Sequence, residues 1–149
     1  FGMRFSKLIS IFSLLGVLVS AFSLFAHYSE QASAFCNLGG SFNCDIVNRG
    51  IYSEMFGVPV ALIGILGYAA IFAAARYHAR IKHAVHALVL LSCFGLVYAL
   101  YLTYLEAFVL AAWCIFCVTS LFTIAAISVL ALIALRKQEQ NFDTQPIGT

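Results

Sequence analysis

Long, nearly uninterrupted apolar stretches separated by short polar segments dominate this chain. Four of them, residues 8–26, 58–75, 84–105 and 112–135, are each long enough to cross a hydrocarbon layer about 30 Å thick at about 1.5 Å per residue. No period-two alternation runs through them, so the pattern predicts helices and not a barrel. The expected fold is an all-α membrane protein, a four-transmembrane-helix bundle forming a single domain over residues 1–149. The loop 27–57 has a different pattern. Residues 35–43 are small and Gly-rich, and then Ile46, Val47, Ile51, Met55 and Phe56 recur at roughly helical spacing over 45–56. This predicts a short amphipathic helix lying over the bundle, with Asp45 capping its start and Gly57 with Pro59 ending it and opening the next span. Gly50 weakens that helix by about 1 kcal/mol relative to alanine. The polar segment 136–149, which contains Pro146, is expected to be a disordered tail.

Composition and charge add a solvent and an orientation. With 63% hydrophobic and 9% charged residues, the chain is made for lipid and offers no basic surface for nucleic acid. Arg4, Lys7, Arg76, Arg80, Lys82, Arg136 and Lys137 all fall at one end of the predicted bundle, and only Arg49 falls at the other. By the positive-inside rule both termini are cytoplasmic. The loop 27–57 and the short turn at 106–111 then face outward. Ala32-Ser33-Ala34 has the small-residue look of a signal cleavage site, but the first apolar run is longer than a signal's. Polar residues His27, Ser29, Glu30 and Gln31 also intervene, so the first run is expected to stay as a span.

Four of the five cysteines lie at the outward ends of the spans: Cys36 and Cys44 in the loop, and Cys114 and Cys117 in a Cys-x-x-Cys. Residues three apart share a helix face, and the positive end of a helix favours a thiolate. Cys114 and Cys117 at the start of the fourth span can therefore cycle between dithiol and disulfide. Cys36 and Cys44 close a short loop that Gly39 and Gly40 make easier to form, and a purely structural disulfide is the plain alternative there. A four-cysteine zinc site is a second alternative, disfavoured by an oxidising compartment. Two pairs on one side point to a relay in which Cys114 exchanges with the loop and Cys117, one turn deeper, meets a lipid-soluble oxidant. Cys93, mid-span, is expected to be a packing residue. His78, His83 and His86 have metal-like spacing in part but are expected to be solvated or snorkelling side chains at the cytoplasmic side, Trp113 to be an interfacial anchor or a ligand contact, and Glu106 to be a simple exposed carboxylate in preference to a group that modulates the redox site.

Cys44-Asp45-Ile46-Val47, then Tyr52, then Gly57-Val58-Pro59-Val60-Ala61-Leu62-Ile63-Gly64, and finally Trp113-Cys114-Ile115-Phe116-Cys117 together resemble the vitamin K epoxide reductase (VKOR) family, especially its bacterial members. The resemblance covers essentially the whole chain. It implies a four-helix bundle around a quinone, of ubiquinone, menaquinone or vitamin K type, with the loop helix as a lid. It implies that Cys36 exchanges with a thioredoxin-like partner, that Cys44 attacks a disulfide at Cys114, and that Cys117 passes electrons to the quinone. By register with the family, Tyr68, Leu110, Phe116 and Ser120 join Cys117 at the quinone. Many bacterial relatives carry a fused thioredoxin-like domain, and in its place a separate, periplasmic DsbA-type protein is the expected partner, with the chain in a bacterial inner membrane.

The departures bear on the substrate. The serine often found six residues after the second loop cysteine is Gly50 here. The asparagine and tyrosine of the vertebrate branch fall, without gaps, on Val60 and Leu121. Their loss favours quinone reduction coupled to disulfide formation over vitamin K epoxide reduction. The alternatives are a vitamin K quinone or epoxide reductase, a DsbB-like enzyme whose two pairs would come in the opposite order, and a non-catalytic membrane adaptor held by structural disulfides.

Overall fold

The four apolar runs fold as α1 (Gly2–Tyr28), α3 (Val60–Tyr77), α4 (Ala84–Leu105) and α5 (Ile115–Asp143), with a short α2 (Cys44–Asn48) in the loop between α1 and α3. This computed structural model describes residues 2–29, 39–77 and 83–144. All four long helices are long and apolar enough to cross a membrane. The only sheet among the described residues is a hairpin of two short strands, β1 (Glu54–Met55) and β2 (Val58–Pro59), paired Glu54 to Pro59 and Met55 to Val58.

The side chains are distributed as a hydrocarbon solvent demands. Leu14, Leu18 and Phe22 of α1 and Leu90, Phe94 and Val97 of α4 stay exposed, while Ser13, Ser20, Ser92 and Ser128 are buried. Lipid offers no hydrophobic gain for sinking a leucine, so small residues take the helix contacts and their hydroxyls bond neighbouring backbone. Ser6 Oγ donates to the Ala75 carbonyl at 2.7 Å and Ser128 Oγ to the Ser92 carbonyl at 3.1 Å, stitching α1 to α3 and α5 to α4. The Tyr68 ring lies against Gly16, where any side chain on α1 would overlap it. A close-packed core of Ile9, Ile71, Ala75, Leu88, Ile127 and Ala131 fills the end of the bundle that holds the termini.

Three local expectations are corrected. The loop does not carry one amphipathic helix over 45–56: α2 stops at Asn48, and a 3₁₀ turn (Ile51–Ser53) and the hairpin follow. Gly50 is extended at the break, and Phe56 and Gly57, both with positive φ, make the primed two-residue turn that a right-twisted hairpin needs. Ile51 and Phe56, 93% and 99% exposed, therefore point away from the bundle. Asn43, and not Asp45, caps α2, its Oδ1 accepting from the Asp45 and Ile46 amides at 3.1 and 3.4 Å. Asp45 instead pairs with Arg49 at 3.7 Å. Finally, α5 runs through the predicted tail to Asp143, because Arg136, Lys137, Gln138, Glu139 and Gln140 are strong helix formers despite their polarity. Lys137 Nζ also lies 5.2 Å from the Phe5 ring centre on α1. Pro146 lies outside the described residues.

Candidate functional site

Two backbone hydrogen bonds bring the loop to the start of α5. The Trp113 amide donates to the Ser41 carbonyl at 2.9 Å, and the Asn43 amide donates to the Trp113 carbonyl at 3.2 Å. This short parallel bridge between Phe42 and Trp113 sets the chains that follow side by side. Cys44, at the first position of α2, and Cys114, the N-cap of α5, are both 0% exposed. They pack in one cluster with Val47, Phe116 and Cys117. Cys44 is disulfide-bonded, whereas Cys93, Cys114 and Cys117 are free thiols. Cys36 lies outside the described residues, and so does the role expected of it.

Cys114 sits where helix geometry favours a thiolate. A hydrogen bond from the Cys117 thiol is the largest influence and holds the Cys114 thiol below the ordinary cysteine range. Burial opposes it, and the Cys117 and Phe116 amides of the first turn assist. The Cys114 amide donates to Glu106 Oε2 at 3.0 Å. Glu106 is thus not the exposed carboxylate the sequence suggests. It is 1% exposed, at the start of a π-helical turn (Glu106–Leu110) that prolongs α4 through the predicted outer turn. Ala111, left-handed at φ 48°, then reverses the chain, and the Ala112 amide bonds the Glu106 carbonyl at 3.2 Å. The reversal folds the carboxylate over the start of α5, so that the Cys117 thiol faces both the Cys114 sulfur and Glu106.

Beneath this cluster lies a partly open, largely apolar cavity of about 400 Å³, within the range of small-molecule pockets. Tyr68, Leu110, Phe116, Cys117 and Ser120 all line it. Tyr68 is fixed at its inner end, its hydroxyl 3.0 Å from the Ser120 carbonyl and 2.8 Å from Ser120 Oγ. The polar groups at the cavity are largely ones the sequence does not single out. Val60 lines it without a polar atom, but Asn48 and His27 line it too. Ser23 Oγ donates to Asn48 Oδ1 at 3.0 Å, His27 Nδ1 donates to the Asn48 carbonyl, and His27 Nε2 lies 3.5 Å from Glu54 Oε1. The end of α1 thereby clasps both α2 and the hairpin. Asn48 Nδ2 is left buried with no hydrogen-bond partner among the described residues, and Glu106 Oε1 is left likewise. A buried donor and a buried acceptor lacking partners at one cavity mark it as shaped for a ligand with polar atoms.

The remaining candidates stand apart from this cluster. Cys93 is partly buried in mid-α4, and His83 and His86 are exposed at its start with ring centres 6.4 Å apart. His78 lies outside the described residues. Asn48 and His27 carry no periodic or motif signal, and only their burial beside the cavity reveals them. The family model described as the vitamin K epoxide reductase family matches residues 7–132, which is most of the chain.

Proposed function

Because the chain belongs to the vitamin K epoxide reductase family, an integral membrane family of oxidoreductases associated with quinone and disulfide chemistry, we propose a specific electron route for it. The protein oxidises a separate thioredoxin-like, DsbA-type partner and delivers the two electrons to a membrane quinone. The partner's dithiol reduces a Cys36–Cys44 disulfide. Cys44 then attacks Cys114 of an inner disulfide and releases Cys117, and Cys36 resolves the mixed bond. The inner pair returns as a dithiol beside the cavity. With positive residues inside, these steps take place on the outer face of a bacterial inner membrane.

The observation that carries this reading is the direct packing of buried Cys44 on buried Cys114, with Cys117 next in line and lining the cavity. Thiol–disulfide exchange needs sulfur to approach sulfur, and a static adaptor with two permanent disulfides has no need to stack one pair on the other. The cavity residues suit a quinone. Asn48 Nδ2 offers a donor to a quinone oxygen, Phe116 and Leu110 offer apolar walls, and Cys117 is the electron donor. The quinone accepts two electrons and two protons, and the protein supplies the orientation and the thiols. The test is to purify the protein in lipid, add the reduced DsbA-type partner and a quinone, and follow quinone absorbance. Quinone loss matched one to one by partner disulfide is expected. Partner oxidation without quinone loss, or no partner oxidation at all, overturns the route.

A further inference from the structure

Glu106 is the one buried carboxylate among the described residues, and the electron route above gives it no task. Leaving a carboxylate at the edge of a hydrocarbon phase is expensive, so such a group is worth asking about. Its Oε2 is fixed by the Cys114 amide, Oε1 is buried with no hydrogen-bond partner among the described residues, and the side chain both faces the Cys117 thiol and lines the cavity. Among the described residues no other acid lines the cavity. We propose that Glu106 is the proton carrier of the inner pair, taking protons from its thiols through Oε1 and releasing them toward the oxygens of a quinone in the cavity.

This rests on the reading of the cavity as a quinone site, and the balance is complete within it. Two thiols and one quinone become one disulfide and one hydroquinone. The sulfur–sulfur bond forms between Cys114 and Cys117, two S–H bonds break, and two O–H bonds form. Each proton leaves a thiol for the carboxylate and then leaves the carboxylate, so Glu106 ends as it began. The geometry supports a carrier over a mere brace because a brace needs only the oxygen that holds the Cys114 amide. The second oxygen is the one left over, and it is buried where bulk water does not compete for the proton.

Glu106→Gln separates the two roles, since glutamine can still accept from the Cys114 amide but cannot take a proton. In the full-length protein in lipid, pre-reduced E106Q should reduce a soluble short-chain quinone at least ~100-fold more slowly than wild type in a single turnover. Exchange between Cys44 and Cys114 should stay within threefold, and Glu106→Asp should recover part of the rate. A readout without quinone accompanies this. Infrared difference spectra of the wild type, taken as a soluble disulfide-forming oxidant such as diamide converts the inner dithiol to the disulfide with no quinone present to take the proton on, should show a protonated carboxyl band in the disulfide state, shifted in D₂O and missing from E106Q. Quinone reduction by E106Q within threefold of wild type, or a carboxylate that stays ionised in both states, overturns the proposal. If the wild type reduces no quinone, the quinone reading fails, and the infrared band alone then decides whether Glu106 carries the proton. If E106Q does not fold, the wild-type spectrum decides in the same way.

Discussion

The two ends of this bundle are built from the same four helices and differ in what fills the space between them. At the end that holds the termini, Ile9, Ile71, Ala75, Leu88, Ile127 and Ala131 close the interior with apolar atoms. At the other end the helices part around a cavity, and the interior holds Cys44, Cys114, Glu106 and Asn48. Close packing gives up dispersion energy wherever a void is left, and buried polar atoms cost more still when they lack partners. The packed end therefore offsets the cost of the hollow one. Tyr68 marks the boundary, packed in the apolar cluster by its ring and tied to Ser120 by its hydroxyl.

The division can be broken from either side. Ile127→Ala, in the packed end, should destabilise the fold by about 2–5 kcal/mol in chemical or thermal unfolding. Turnover per folded molecule should not change. A loss of thiol exchange at full folding would mean that the two ends are not separable. At the boundary, Tyr68→Phe removes only the bonds to Ser120 and should cost about 0.6–1.5 kcal/mol, with Cys44–Cys114 exchange unaltered. The smallest effect is a shift in pH. Since the folded protein holds the Cys114 thiol low, its proton leaves at a lower pH than that of a free cysteine near 8.5. The midpoint for Cys114 alkylation in the reduced protein should fall on the acid side of that value. Because the Cys117 thiol is the main cause, Cys117→Ala should move the midpoint back up.

The apolar runs made the packed end legible in the sequence, since a helix that crosses lipid announces itself by length and composition. The clustering of Cys44, Cys114 and Cys117 was legible through spacing and flanking residues, and the cavity-lining positions of Tyr68, Leu110, Phe116 and Ser120 through register with a resembling family, while Cys36 lies outside the described residues. Glu106 was not, because nothing in its neighbours signals that a π-helical turn and a left-handed Ala111 will fold it back onto Cys114. Asn48 and His27 were hidden for a related reason: their partners, Ser23 and Glu54, are distant in sequence and meet only in the folded loop. The hairpin was not legible, since the spacing puts 45–56 in one helix ended by Gly57, and Phe56 is an unexpected residue for positive φ. The extension of α5 to Asp143 was visible as helix propensity, and its polarity concealed it.

The claim on which the account depends is that Cys44 hands its electrons to Cys114. In Cys117→Ala the mixed bond has no second inner thiol to close against. There the lone Cys114 thiol can attack Cys44 of the Cys36–Cys44 disulfide and release Cys36 as a thiol, so rapid thiol trapping and mass spectrometry of the oxidised variant, with no reduced partner added, should recover a Cys44–Cys114 cross-link. Recovery of a Cys36–Cys44 bond alone, with quinone reduction intact, would contradict it.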